Sequence, residues 1–134
     1  MDEERQITLA DYLAIAEVIT ETPIDRLLPT LRLNELLSAL SAPYAEFGGI
    51  TFYDEFHERA AILGSRLVKN HPLIIDGNKR CALASMRMLV DLNGRTWTHP
   101  SGNQLLTAAA IEDLAAGIID ESDFIIWVED RIGP

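Results

Sequence analysis

Apolar residues recur at helical spacing along most of the chain. They do so from Leu9 to Ile19, and Thr8 before this run, with Asp11 three residues on, forms a capping box. A second set, roughly Leu31 to Leu40, follows Thr30 as its cap. A third begins after Asp54 and runs to about Asn70. Phe56, Ala60, Leu63 and Leu67 form its buried stripe, and Gly64 marks a place where a neighbour packs closely. A fourth runs from Gly77 or Asn78 to Leu92. It is apolar on nearly all sides, which predicts the buried central helix, and Asn93-Gly94 ends it. Pro100 and Ser101 open a fifth, with Ser101 and Gln104 as a capping box, and Gly117 breaks it. Asp120 or Ser122 caps a last helix carrying Phe124, Ile125, Trp127 and Val128.

The segments between are short. Pro23 and Pro29 bracket a turn-rich stretch. Ser41 to Tyr53 mixes Tyr44, Phe47, Phe52 and Tyr53 with Gly48-Gly49, the pattern of a small hairpin or an ordered loop. Trp97 lies in a brief extended link. The expected fold is all-α: one domain over residues 1–134, about six helices, and a small flap or hairpin before the third.

Composition narrows the function. The chain has 134 residues, 48% of them hydrophobic, and a formal net charge of −10. That is enough for a real core. The charge repels nucleic-acid phosphates, and with no basic stripe the expected partner is a protein rather than nucleic acid. No apolar run is long enough to cross a bilayer, and the acidic start Met1-Asp2-Glu3-Glu4-Arg5 is unlike a secretory signal. Cys81 stands alone, which suits a reducing compartment. A cytoplasmic protein without a membrane partner is expected.

The chemistry concentrates between Asn70 and Arg80. A helix ends, a short loop follows, and a new helix starts. The first N–H groups of a helix lack partners within it and carry the positive end of its dipole, so they bind phosphate. Gly77 lets the backbone approach an oxygen, Asn78 adds an amide, and Lys79 and Arg80 add charge. Arg80 can grip a phosphate with two parallel hydrogen bonds. Asp76 suits Mg²⁺ bridging protein and phosphates. His71 carries an imidazole, the commonest general base, and is placed to take a proton from an attacking hydroxyl. Singly, each feature reads as a turn, a solvated face or a helix stop; together they describe a phosphoryl- or nucleotidyl-transfer site.

This segment resembles the signature of the Fic/Doc family: a histidine, an apolar loop, then Asp76-Gly77-Asn78-Lys79-Arg80. Lysine in place of the usual glycine, and Leu83 where most Fic proteins have a second arginine, are similar to the Doc branch. The Thr-Leu-Ala-Asp opening, Phe47-Gly48-Gly49, the helix into Asn70-His71 and Asp91-Leu92-Asn93-Gly94 extend the likeness over most of the chain. The resemblance implies the helical Fic domain, with His71 as general base, Asp76 as Mg²⁺ ligand and Gly77, Asn78, Lys79 and Arg80 as the nest for nucleotide phosphates. It implies a flap around Phe47, Gly48, Gly49 and Phe52 that docks the target. It further implies a toxin of a toxin–antitoxin pair, transferring the γ-phosphate of ATP to an elongation factor Tu-like protein, with a small antitoxin as partner.

The family places three residues between the histidine and the acidic residue; here there are four, Pro72 to Ile75, and Leu73 replaces the usual phenylalanine. Either the loop bulges and leaves His71 in place, or His71 is displaced. Two other readings therefore stand beside the kinase: a Fic-type adenylyltransferase, and a binding-only module. The remaining candidates read as structural. His57 and His99 are expected on the surface, Cys81 in the core, Met86, Met88, Trp97 and Trp127 in the core, and Arg87 either paired with Asp91 or extending the basic surface around the site.

Overall fold

The computed structural model describes residues 3–98 and 104–134, without the side chains of 104–106. Among these, seven α-helices occur: α1 (Leu9–Thr20), α2 (Ile24–Leu27), α3 (Leu33–Ser41), α4 (Phe56–Asn70), α5 (Asn78–Leu92), α6 (Gln104–Ala115) and α7 (Glu121–Glu129). Two short antiparallel pairs accompany them. β1 (Glu46–Phe47) pairs with β2 (Ile50–Thr51), and β3 (Thr96–Trp97) with β4 (Ile132–Gly133). The all-α expectation holds.

Local rules explain several boundaries. Thr8 caps α1 in a full capping box with Asp11, and Asp120 caps α7 in another with Asp123. The expected Ser101–Gln104 box and His99 lie outside the described residues. Three boundaries differ from expectation. The Pro23–Pro29 stretch is not only turns: Pro23 starts the four-residue α2, its carbonyl accepting from the N–H groups of Arg26 and Leu27. Thr30 does not cap α3, because its hydroxyl donates to the Leu27 carbonyl at 2.9 Å; Arg32 precedes α3 instead. Asp54 does not cap α4, because it accepts a hydrogen bond from the Thr51 hydroxyl. Glu55 takes the position in a capping box with Glu58.

The centre is α4 rather than α5. α4 packs against α3, α5, α6 and α7. It buries Phe56, Ala60, Leu63 and Leu67 as expected, and also Ala61, Ile62 and Val68. α5 buries Cys81, Ala82, Ser85, Met86, Leu89 and Val90 but leaves Lys79, Arg80, Arg87 and Asp91 in solvent. Leu83, Ala84, Met88 and Leu92 are only half-buried, so the helix keeps one side towards solvent. Gly64 lets the helices approach: a Cβ there would lie 3.0 Å from Met86 Sδ and 3.6 Å from the Phe124 ring.

Ionic staples tie the ends to this centre. Arg59 of α4 holds Glu4 at 2.7 Å. Glu121, at the start of α7, accepts from the Ser65 hydroxyl at 2.7 Å and from Arg66 Nε at 3.0 Å, both on α4. His57 is half-buried rather than on the open surface, with Nε2 2.8 Å from Glu129 of α7.

Candidate active site

The site is built where α4 stops and α5 starts. α4 ends at Asn70, and His71 after it takes the left-handed conformation (φ 46°, ψ 61°). Such a backbone costs a non-glycine residue about 1–2 kcal/mol and persists only where the surroundings hold it. Here they do. Arg32, before α3, donates from Nη1 to the His71 carbonyl at 2.7 Å and from its backbone N–H to the Pro72 carbonyl at 3.0 Å. Asn70 Nδ2 donates to the Glu35 carbonyl at 3.0 Å. The imidazole itself stays exposed.

The loop's next part is anchored too. Leu73 is buried and fills the position expected for phenylalanine. Its N–H donates to Asn78 Oδ1 at 2.9 Å, and its carbonyl accepts from Asn78 Nδ2 at 3.0 Å. The Asn78 carboxamide is thus spent on the loop, and what Asn78 offers an anion is its backbone N–H. With the loop fastened at 71–73 and again at 77–78, the four-residue spacing is taken up between, where Ile74 and Ile75 project into solvent, 62% and 40% exposed.

Gly77 is buried with φ 132°, and a Cβ would lie 3.1 Å from Thr20 Cγ2 of α1. Glycine is required twice, for its conformation and for the close contact. It also leaves α5 with no side-chain cap, where α1, α4 and α7 each begin with a capping box. The first intrahelical bond, from the Cys81 N–H to the Gly77 carbonyl, is 2.9 Å. The N–H groups of Asn78, Lys79 and Arg80 precede it and form an open donor set at the positive end of the dipole.

The charges around it are held loosely. Arg80 is exposed, with Nη1 3.4 Å from the Ile19 carbonyl and Nη2 3.8 Å from Asp76 Oδ2. Lys79 Nζ is 2.9 Å from Glu112 Oε2 of α6. Exposed pairs of this kind contribute little, about 0–1 kcal/mol, so a multiply charged phosphate can outcompete them. Burial pushes the neighbouring Cys81 thiol up to about 11, which removes it as a nucleophile. Leu83 packs against the core.

The sequence therefore places His71, Asp76, Gly77, Asn78, Lys79 and Arg80 on one clamped turn. The flap is a separate unit. Gly48 (φ 60°) and Gly49 (φ 81°) make the tight turn that two positive-φ residues favour in a hairpin. Phe47 and Phe52 stand exposed on it. Among the described residues no hydrogen bond or ion pair joins the hairpin to the loop. Sequence reading missed Arg32, Thr20 and Glu112. None carries a local signal, since each meets the loop across 30 residues or more of chain.

The model of the Fic/DOC family matches residues 6–90, from α1 through the clamped loop and nearly all of α5. The chain belongs to the Fic/DOC family. Membership implies a protein-modifying transferase of the Fic type. No curated protein and no solved structure matches the chain. In this Fic/DOC protein α6 and α7 lie beyond the matched residues, yet α6 reaches the site through Glu112. Among the described residues no helix is long and apolar enough to cross a membrane.

Proposed function

We propose that this Fic/DOC protein is a Doc-like phosphotransferase that moves the γ-phosphate of ATP onto a hydroxyl of another protein. The observation that carries the reading is the uncapped start of α5 on Gly77, flanked by Arg80, Lys79 and Asp76 and preceded by a clamped His71. The open N–H groups and Arg80 bind the phosphate oxygens, where charge accumulates during transfer. His71 accepts the proton as the target's hydroxyl oxygen bonds to the γ-phosphorus. The bond from that phosphorus to the bridging oxygen breaks, and ADP leaves with the electron pair. Asp76 is a single, fully exposed carboxylate, and among the described residues no group of three potential metal ligands exists. That fits Mg²⁺ as nucleotide sites hold it, with one carboxylate and the remaining positions filled by phosphate oxygens and water. When bound, the ion offsets phosphate charge.

Leu83 favours phosphoryl over adenylyl transfer. It lies against the core and offers no charge to orient the nucleotide in the AMP-donating sense. Within this reading the exposed hairpin at Phe47, Gly48, Gly49 and Phe52 docks the target, an elongation factor Tu-like protein. A small antitoxin silences the toxin in the cytoplasm.

The test uses purified protein, Mg²⁺, a bacterial lysate, and ATP labelled at the γ- or the α-phosphate, with His71→Ala as control. γ-label on a lysate protein, absent with His71→Ala, is expected. α-label on a protein would make it an adenylyltransferase. No label from wild type, with label appearing on deletion of Ile75, would make the natural chain a binding module.

A further inference from the structure

Away from this loop, the outer face of α5 and the strand after it enclose a second feature. A concavity of about 540 Å³ has Arg87, Met88, Asp91, Arg95, Thr96 and Trp97 among its lining residues. Arg87 is seven residues beyond Arg80, about 10.5 Å along the helix. The concavity is therefore a neighbour of the candidate active site and not part of it.

Its arginines, like Arg5 and Arg26, have no carboxylate within 4 Å among the described residues. Acidic residues outnumber basic ones by 21 to 11, and Arg59, Arg66, Lys69, Lys79 and Arg80 each lie within 4 Å of a carboxylate. Arg87 and Arg95 do not, and neither donates a side-chain hydrogen bond among the described residues. Of the two readings of Arg87, the pair with Asp91 is not formed among the described residues. Arg95 instead lies over the Phe56 ring, 4.9 Å from its centroid, which fixes the side chain while leaving its N–H donors open. Two arginines without a carboxylate partner thus line one hollow with a half-buried indole and a methionine. Arginine, tryptophan and methionine are the residue types enriched at protein–protein interfaces, and arginine and tryptophan dominate their hot spots.

We propose that this concavity docks an acidic segment of a partner protein, its carboxylates on Arg87 and Arg95 and an apolar side chain against Met88 and Trp97. Charge complementarity selects the partner. The net charge of −10 disfavours any anion that lacks apolar contacts to add, nucleic acid included. The proposal does not depend on the transferase reading, because it uses no residue of the loop.

The probe is a synthetic peptide of alternating Glu and Leu, with a Lys-Leu peptide of the same length and pyrophosphate as comparators. Trp97 fluorescence is read in a Trp127→Phe background, with thermal melting to verify the fold. Saturable binding of the Glu-Leu peptide is expected, weakened about tenfold or more by Arg87→Glu with Arg95→Glu, the loss typical of hot-spot truncation. Addition of salt weakens it as well. If Arg95→Glu disturbs the fold through Phe56, the exposed Arg87→Glu alone carries the test. Equal binding of the Lys-Leu peptide, indifference to Arg87→Glu, or tighter binding of pyrophosphate at this hollow would each overturn the proposal. Lys79→Ala should leave the binding unchanged.

Discussion

At the scale of single residues, the site depends on two that a motif comparison treats alike and the structure separates. Gly77 is a conformational requirement. An alanine there must hold φ near 132° and press its Cβ to 3.1 Å from Thr20 Cγ2. Gly77→Ala should cost about 1–3 kcal/mol of stability and abolish nucleotide binding, read by thermal melting with and without ATP and Mg²⁺. An alanine variant with unchanged melting and ATP response would remove Gly77 from the site. Asn78 is a structural clasp, since its carboxamide satisfies both backbone groups of Leu73. Asn78→Ala leaves a part-buried N–H and C=O unmatched, a loss of about 1–3 kcal/mol. Asn78→Asp keeps the acceptor for the Leu73 N–H but turns an oxygen towards the Leu73 carbonyl, so it should rescue less than half of that loss. A stable Asn78→Ala with weakened ATP binding would instead assign the carboxamide to the nucleotide.

At the scale of elements, what could be read in advance was what neighbours in sequence decide. The Thr8–Asp11 and Asp120–Asp123 boxes, the glycine turn of the hairpin and the α4 stripe are all settled within a few residues. Thr30 and Asp54 have the right side chains for caps, but another local partner, Leu27 or Thr51, claims each. Arg32 was illegible because its partners, His71 and Pro72, are remote in sequence. The site residues themselves were legible because the loop is one continuous segment. Their clamp was not. The α4–α7 staple belongs to the same illegible class, and it makes a pH prediction. Burial pushes the Glu121 carboxyl up, but hydrogen bonds from Arg66 and Ser65 and the charges of Arg66 and Lys69 outweigh it and hold the group below its ordinary value of 4.5. A group with a lowered folded pKa stabilises the fold above the unfolded value, and the stabilisation is lost as pH falls through the folded one. Wild type should therefore lose melting temperature below about pH 4.5 more steeply than Glu121→Gln, and the two curves should converge in acid. Parallel curves would mean that the staple contributes nothing.

At the scale of the whole molecule, the family match and the folding unit have different ends. The match closes at residue 90, inside α5. The core continues: Ile111 and Leu114 of α6 and Phe124 and Val128 of α7 are all buried, with Phe124 and Val128 fully so. Phe124 shares with Met86 the space beside Gly64 of α4, so without α7 this side of the helix opens to water. Emptying such positions costs about 2–5 kcal/mol each, and the total stability of a domain is only about 5–15 kcal/mol. Four lost together consume most or all of it. A chain ending at Thr98 should therefore lack a cooperative thermal transition, although it contains every residue of the candidate active site. Circular dichroism melting of residues 1–98 beside the full chain decides the matter. If the shorter chain melts cooperatively, the family-matched segment folds alone, and α6 and α7 act on the site only from outside, through Glu112 and Lys79. If it does not, these two helices are part of the structure that keeps His71 clamped and Gly77 in place, and the catalytic loop needs them as surely as it needs Arg32.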